Sequence, residues 1–152
     1  MRTIVLALIA ALVLAASAAA STGPKRSELA LLGQINTVRA QYGLGPLTLD
    51  PHLERAARAH SREMLSSNVF AHGDFAGRMF QFAVTGAVAG ENLAWGTGAR
   101  GSAQGIVLAW LASPEHRANL LRQSFTRVGV ADLVGTFQGY ARAHVVTADF
   151  AN

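Results

Sequence analysis

The chain has no cysteine, a single lysine, four prolines and few charges. The missing thiols exclude disulfide staples, thiol nucleophiles and thiolate metal ligands. Charged residues make up 14% of the 152 residues against 51% apolar ones. That balance excludes the disordered class and is enough for one domain with a real core. The net charge of +4 comes from arginines scattered along the chain. No basic stripe with interleaved aromatics is present, which argues against a nucleic-acid partner.

Part of the apolar excess lies at the start. Arg2 is followed by the run Ile4 to Leu14, then by small residues up to Ser21. A positive start, a short apolar segment and an Ala-x-Ala end predict a secretory signal peptide over residues 1–20, cut between Ala18 and Ser21. The run is short for a span, so no membrane segment is expected after cleavage. A linker over 21–27 and one domain over 28–152 follow. Export would place the protein outside the cell or in the cell envelope.

The periodicity predicts a helix from a Ser27 cap to about Tyr42, with Leu31, Ile35, Val38 and Tyr42 on one face. Asp50-Pro51 is a start signal for a second helix to about Ser67, whose stripe is Leu53, Ala56, Ala57, His60 and Met64. Glu54 and Arg58 are spaced as an i,i+4 surface pair. A short helix is expected over 75–82. Residues 84–96, rich in glycine, read as irregular with at most a short strand. A helix over 102–112 ends at Ser113-Pro114, a pair that can also start a new turn. Two strands, 128–134 and 140–149, flank a hairpin loop over 135–139. Helices first and strands later give an α+β class.

The chemistry concentrates in the middle. His72, Glu91 and His116 lie near Phe70, Trp95 and Trp110 in sequence broken by glycine and proline. A glutamate between Gly90 and the run Leu93-Ala94-Trp95 is expected to be partly buried and to need a partner. The two histidines are the natural ones, and such a cluster would raise both imidazole pKa values. It would also offer nitrogen and oxygen ligands to zinc or another divalent cation. The spacings of 19 and 25 residues form no compact ligand motif. His60 reads as a core histidine, His52 as exposed, and His144 has no evident partner.

Taken in order, several segments resemble the CAP superfamily, the domain of cysteine-rich secretory proteins, venom antigens and plant pathogenesis-related proteins, in its short bacterial exported form. They are Asn36-Thr37-Val38-Arg39, Leu47-Thr48-Leu49-Asp50, Ala59-His60-Ser61, Phe70-Ala71-His72, Gly90-Glu91-Asn92-Leu93-Ala94, Trp110 through Leu121, and Val128-Gly129-Val130-Ala131. The resemblance covers Leu29 to Phe150. It implies an α-β-α sandwich with a small antiparallel sheet between helical layers. It also implies a cleft of two histidines and two glutamates that in some members binds a divalent cation. His72, Glu91 and His116 fall on three of those positions, and Ser113 stands where the second glutamate would be. Glu115 is adjacent, with nothing in the sequence to aim it at the cleft.

The expected function is an exported, monomeric binding module. Its cleft, formed by His72, Glu91, Asn92, Trp95, Ser113 and His116, would take a cell-wall fragment, lipid or peptide. The alternative is a metal-dependent, peptidase-like hydrolase in which His72, His116 and Glu91 hold the metal and Glu91 serves as base. No hydroxyl is visibly paired with a base, and one carboxylate is missing, so the reading leans away from an enzyme.

Overall fold

The computed structural model describes residues 24–152. The expected signal peptide lies outside the described residues. Among these, no helix is long and apolar enough to cross a membrane.

Among the described residues, five α-helices and a short 3-10 turn at Gly98–Gly101 pack around a four-stranded sheet. Helix α1 spans Arg26–Gln41, α2 Pro51–Ser67, α3 Phe75–Gln81, α4 Ala103–Ala112 and α5 Pro114–Leu120. The strands are β1 Thr48–Leu49, β2 Ala89–Gly96, β3 Arg127–Phe137 and β4 Tyr140–Ala151, in the order β1-β3-β4-β2. The β2–β4 and β3–β4 pairs are antiparallel; β1 joins β3 in parallel. The sheet is therefore mixed rather than purely antiparallel, and β1 is a two-residue strand too short to leave a periodic signal.

The local chemistry explains most boundaries. Asp50 accepts hydrogen bonds from the backbone N–H groups of His52 (2.8 Å) and Leu53 (3.1 Å), and Pro51 follows at the first helical position. Ser102 caps α4 through Gly105 N–H. At α1 the cap falls on Lys25, not Ser27, because Glu28 reaches back to the Lys25 N–H at 2.6 Å. Residues 89–96 form a full strand, since all eight pair with β4. The β3–β4 turn is only Gln138-Gly139, both at positive φ (51° and 82°), the geometry that matches strand twist.

The two faces of β4 divide the core. Val146, Ala148 and Phe150 pack with Leu31, Ile35 and Val38 of α1, with Ile106, Val107 and Trp110 of α4, and with Leu120 of α5. On the other face Val145 packs with Met64 of α2, and Ala151 with Leu53, Ala56 and Met79. The first of these clusters holds fourteen buried residues. Fully burying one large apolar side chain is worth about 1.5–3 kcal/mol, and a disulfide ~2–4. One or two core residues thus replace a bridge, which is how a cysteine-free fold can stand. Tyr42, expected on the buried stripe of α1, is instead half exposed, and its hydroxyl accepts from Arg117 at 3.2 Å. Arg58, expected to pair with Glu54 in water, bonds to Glu28 of α1 at 2.9 Å.

Gly129 is required by close approach. A Cβ there would lie 2.0 Å from the Leu53 carbonyl carbon, so α2 can seat on β3 only over a glycine.

Candidate functional site

β2 is an edge strand, and the site is built along it. Its Glu91 and Leu93 carbonyls are taken by Asn119 Nδ2 (3.1 Å) and Trp110 Nε1 (2.9 Å) rather than by a fifth strand. Side chains alternate across a strand. Glu91, Leu93 and Trp95 face the α2–α3 layer, while Gly90 and Asn92 face α4 and α5. The loop after α2 brings Phe70 and His72 to this edge from one layer. Ser113 and His116 come from the other.

His72 Nδ1 lies 2.6 Å from Glu91 Oε1. Arg78 of α3 bonds to Glu91 Oε2, and His60 Nε2 lies 3.8 Å from the same oxygen. The Glu91 side chain is 3% exposed, whereas that of His72 is 59% exposed. His116 is half-buried, and its pKa is lowered first by burial and then by the nearby His72 imidazole, with Glu115 opposing. The expected rise is therefore reversed at His116: it interacts with His72, and burial decides the direction. It is neutral at pH 7.

A cleft of about 330 Å³ lies beside these groups, lined by Phe70, Leu93, Ala94, Trp95, Ala109, Trp110, Ser113 and His116. Trp95 is held by aromatic contacts: its ring centroid is 5.6 Å from that of Phe137, edge-on, and 5.5 Å from that of Tyr140. Phe70 meets Phe137 edge-on at 6.5 Å. Ser113 makes no capping bond to α5. Glu115 is exposed and does not line the cleft.

Of the residues named from sequence, Trp95, Ser113 and His116 line the cleft. Neither His72 nor Glu91 lines it; the two pair beside it, and the His72 imidazole acts on His116 through space. Asn92 is fully buried and structural. Its Nδ2 donates to the His116 carbonyl at 2.9 Å, and its Oδ1 accepts from Asn119 at 3.0 Å. This clamp fixes the start of α5. It needs Gly90, because a Cβ there would stand 2.8 Å from Asn119 Oδ1.

Three contributors escaped the sequence reading: Arg78, Asp149 and Asn119. Arg78 lies six residues from His72 on a short helix and has no motif. Asp149 did leave a signal, as a lone carboxylate in the strand Val145-Val146-Thr147-Ala148-Asp149-Phe150. His60 is buried as expected. His144 has a partner after all, Asp132, at 2.9 Å, and His52 Nδ1 meets the Phe82 carbonyl at 2.8 Å.

The resemblance implies a divalent cation held by these donors. Among the described residues, no group of three or more histidine, aspartate and glutamate side chains is arranged to hold a metal. Arg78 already neutralises Glu91 at Oε2, and His72 presents Nδ1 to Oε1. The residues present do not fit the ion.

The profile of the Cysteine-rich secretory protein family (CAP) matches residues 32–150, so the chain belongs to that family. A Bacillus subtilis (strain 168) relative, the uncharacterized protein YkwD, is 37% identical over 100 residues, which are 62% of this chain. The aligned stretch is 38% of that relative's own length. An extracellular protein containing an SCP domain from Bacillus anthracis superposes with a TM-score of 0.67 at 28% identity, over 83% of this chain and 40% of that one. An outer surface protein from Borrelia burgdorferi reaches 0.71 at 22% identity, over 83% and 92%, and shows the fold alone.

Proposed function

We propose that this domain is an exported binding module whose β2-edge cleft takes an uncharged, partly apolar ligand: a cell-wall fragment, a lipid or a peptide. One observation carries the reading. The cleft is walled by Phe70, Leu93, Trp95 and Trp110, and the imidazole in its lining, His116, is neutral at pH 7. Such a lining rewards apolar contact and one or two hydrogen bonds, and offers no fixed charge to a phosphate. The apolar N-terminal run and the extracellular and outer-surface descriptions of two structural relatives support export.

The test is a set of titrations of the mature domain with muropeptides, neutral lipid vesicles and peptides, read by tryptophan fluorescence and calorimetry. Saturable binding to one class, weakened by Trp95→Ala and by His116→Ala, is expected. Failure of all three classes, or affinity untouched by both substitutions, overturns the reading.

A hydrolase has one observation in its favour. Glu91 holds His72 by Nδ1 and leaves Nε2 free in an exposed side chain, as a general base requires. A metal-assisted route through His72, Glu91 and His116 meets the misfit of donors described above. Peptide hydrolysis that is lost in the His72→Ala, His116→Ala double variant and on chelation would restore it.

A further inference from the structure

Arg78 is an unusual residue to find at the floor of such a site. Its side chain is only 7% exposed, and its guanidinium makes three hydrogen bonds and lies 5.7 Å from the centroid of the Phe75 ring. One goes to Glu91 Oε2, one to His60 Nδ1 at 3.0 Å, and one to the backbone carbonyl of His72 at 3.3 Å. Arginine's planar fork suits such a set of acceptors, and a lysine ammonium does not reproduce it.

His60 is packed among these groups: its Nε2 donates to the Ala71 carbonyl at 2.9 Å, and its Nδ1 lies 3.0 Å from Arg78 Nη1 and 3.3 Å from Glu63 Oε2. At His72, Nδ1 donates to Glu91 Oε1, which can only accept, and Nε2 is left over. A divalent ion beside Glu91 would have to displace Arg78 from Oε2 and the His72 Nδ1–H from Oε1, with His72 Nε2 the nitrogen still open to it.

We infer that Arg78 is the resident cation of the Glu91 cluster. It occupies the Glu91 oxygen that a divalent ion would need, and its bond to the His72 carbonyl helps hold that imidazole against Glu91 with Nε2 left free. Arg78 is thus a positioning residue. It neutralises the buried Glu91, ties down the His72 backbone, and leaves Oε1 to select the His72 nitrogen that is held. The inference concerns the cluster beside the cleft and does not depend on which ligand the cleft takes.

The test uses the mature domain and zinc alone, read by calorimetry, with ¹⁵N spectra of the imidazoles. Wild type is expected to take no stoichiometric zinc, and its neutral His72 to be the Nδ1–H tautomer. Arg78→Met keeps much of the bulk and removes the cation. It is expected to bind zinc on the order of tenfold or more tightly than wild type, a range typical of changes around metal ligands, and to lose that gain when His72→Ala is added. Stoichiometric zinc in wild type that vanishes in Glu91→Gln overturns the inference. So does an Arg78→Met variant with no gain. Should Arg78→Met fail to fold, Arg78→Lys decides. It keeps the charge without the fork, and His72 is expected to populate both tautomers. A spectrum identical to wild type overturns the positioning role.

Discussion

Asp149 of β4 lies directly across the ladder from Glu91 of β2. Asp149 is fully buried, and among the described residues no hydrogen-bond donor reaches either of its carboxylate oxygens. Its neighbour on the other side is Gly129 of β3, which offers no side chain. Two carboxyls so placed cannot both ionise cheaply. The burden falls on Asp149. Burial pushes its pKa well above the usual carboxylate range, the Glu91 charge pushes further, and Arg78 opposes. Asp149 therefore holds its proton to higher pH than an ordinary aspartate, beside a Glu91 that is paired with Arg78.

The pH dependence follows with a definite sign. An unfolded aspartate releases its proton near pH 4, while the folded Asp149 keeps it. Between those two pKa values the folded state binds one more proton. The stabilisation present below about pH 4 is therefore lost as pH rises toward the folded value, at up to ~1.4 kcal/mol per pH unit. Asp149→Asn cannot titrate and escapes this term. Urea denaturation of both proteins from acid to neutral pH is expected to show wild type losing stability relative to the variant as pH rises. A pH-independent difference would mean that Asp149 titrates in the fold as it does in the unfolded chain.

Glu91 is the counterion of a buried guanidinium. Glu91→Ala leaves Arg78 without its carboxylate, and breaking one side of a buried pair costs about 3 kcal/mol or more. Glu91→Gln retains an acceptor for Arg78 and is expected to lose less. Denaturation midpoints with unchanged slopes check the ranking, and equal losses in the two variants would refute it.

Arg39 holds the scaffold under α5 without any carboxylate. It is 1% exposed and donates to the carbonyls of Gly45 (2.9 Å), Leu120 (2.8 Å), Arg122 (3.1 Å) and Phe125 (3.1 Å). Each orphaned buried acceptor costs about 1–3 kcal/mol. Arg39→Lys cannot span all four and is expected to lose about 3 kcal/mol or more in denaturation. A loss under about 1 kcal/mol would show that water replaces the fork.

The parts of the fold written in local chemistry were legible from sequence. Asp50-Pro51 announced α2, Ser113-Pro114 the break between α4 and α5, and Leu31, Ile35 and Val38 the buried face of α1. The strand over 89–96 was not, because Gly90 and Gly96 lower strand propensity and only pairing with β4 makes it regular. β1 exists only because Thr48 and Leu49 dock beside β3. At the site, the His72–Glu91 contact was legible because an embedded carboxylate needs a partner. Arg78 was not, because its role comes from α3 folding back over α2, a tertiary fact with no sequence period. The same limit hid the sign at His116, where burial rather than Glu91 sets the charge.

The β2-edge cleft is the proposed binding site. Amide chemical-shift mapping during titration with muropeptides, neutral lipid vesicles and peptides decides whether ligands enter it. Saturable shifts at Phe70, Trp95, Ser113 and His116 are predicted for whichever class binds. Shifts confined to another surface, such as the groove of Leu111, Arg117 and Leu121 between α4 and α5, would contradict the account.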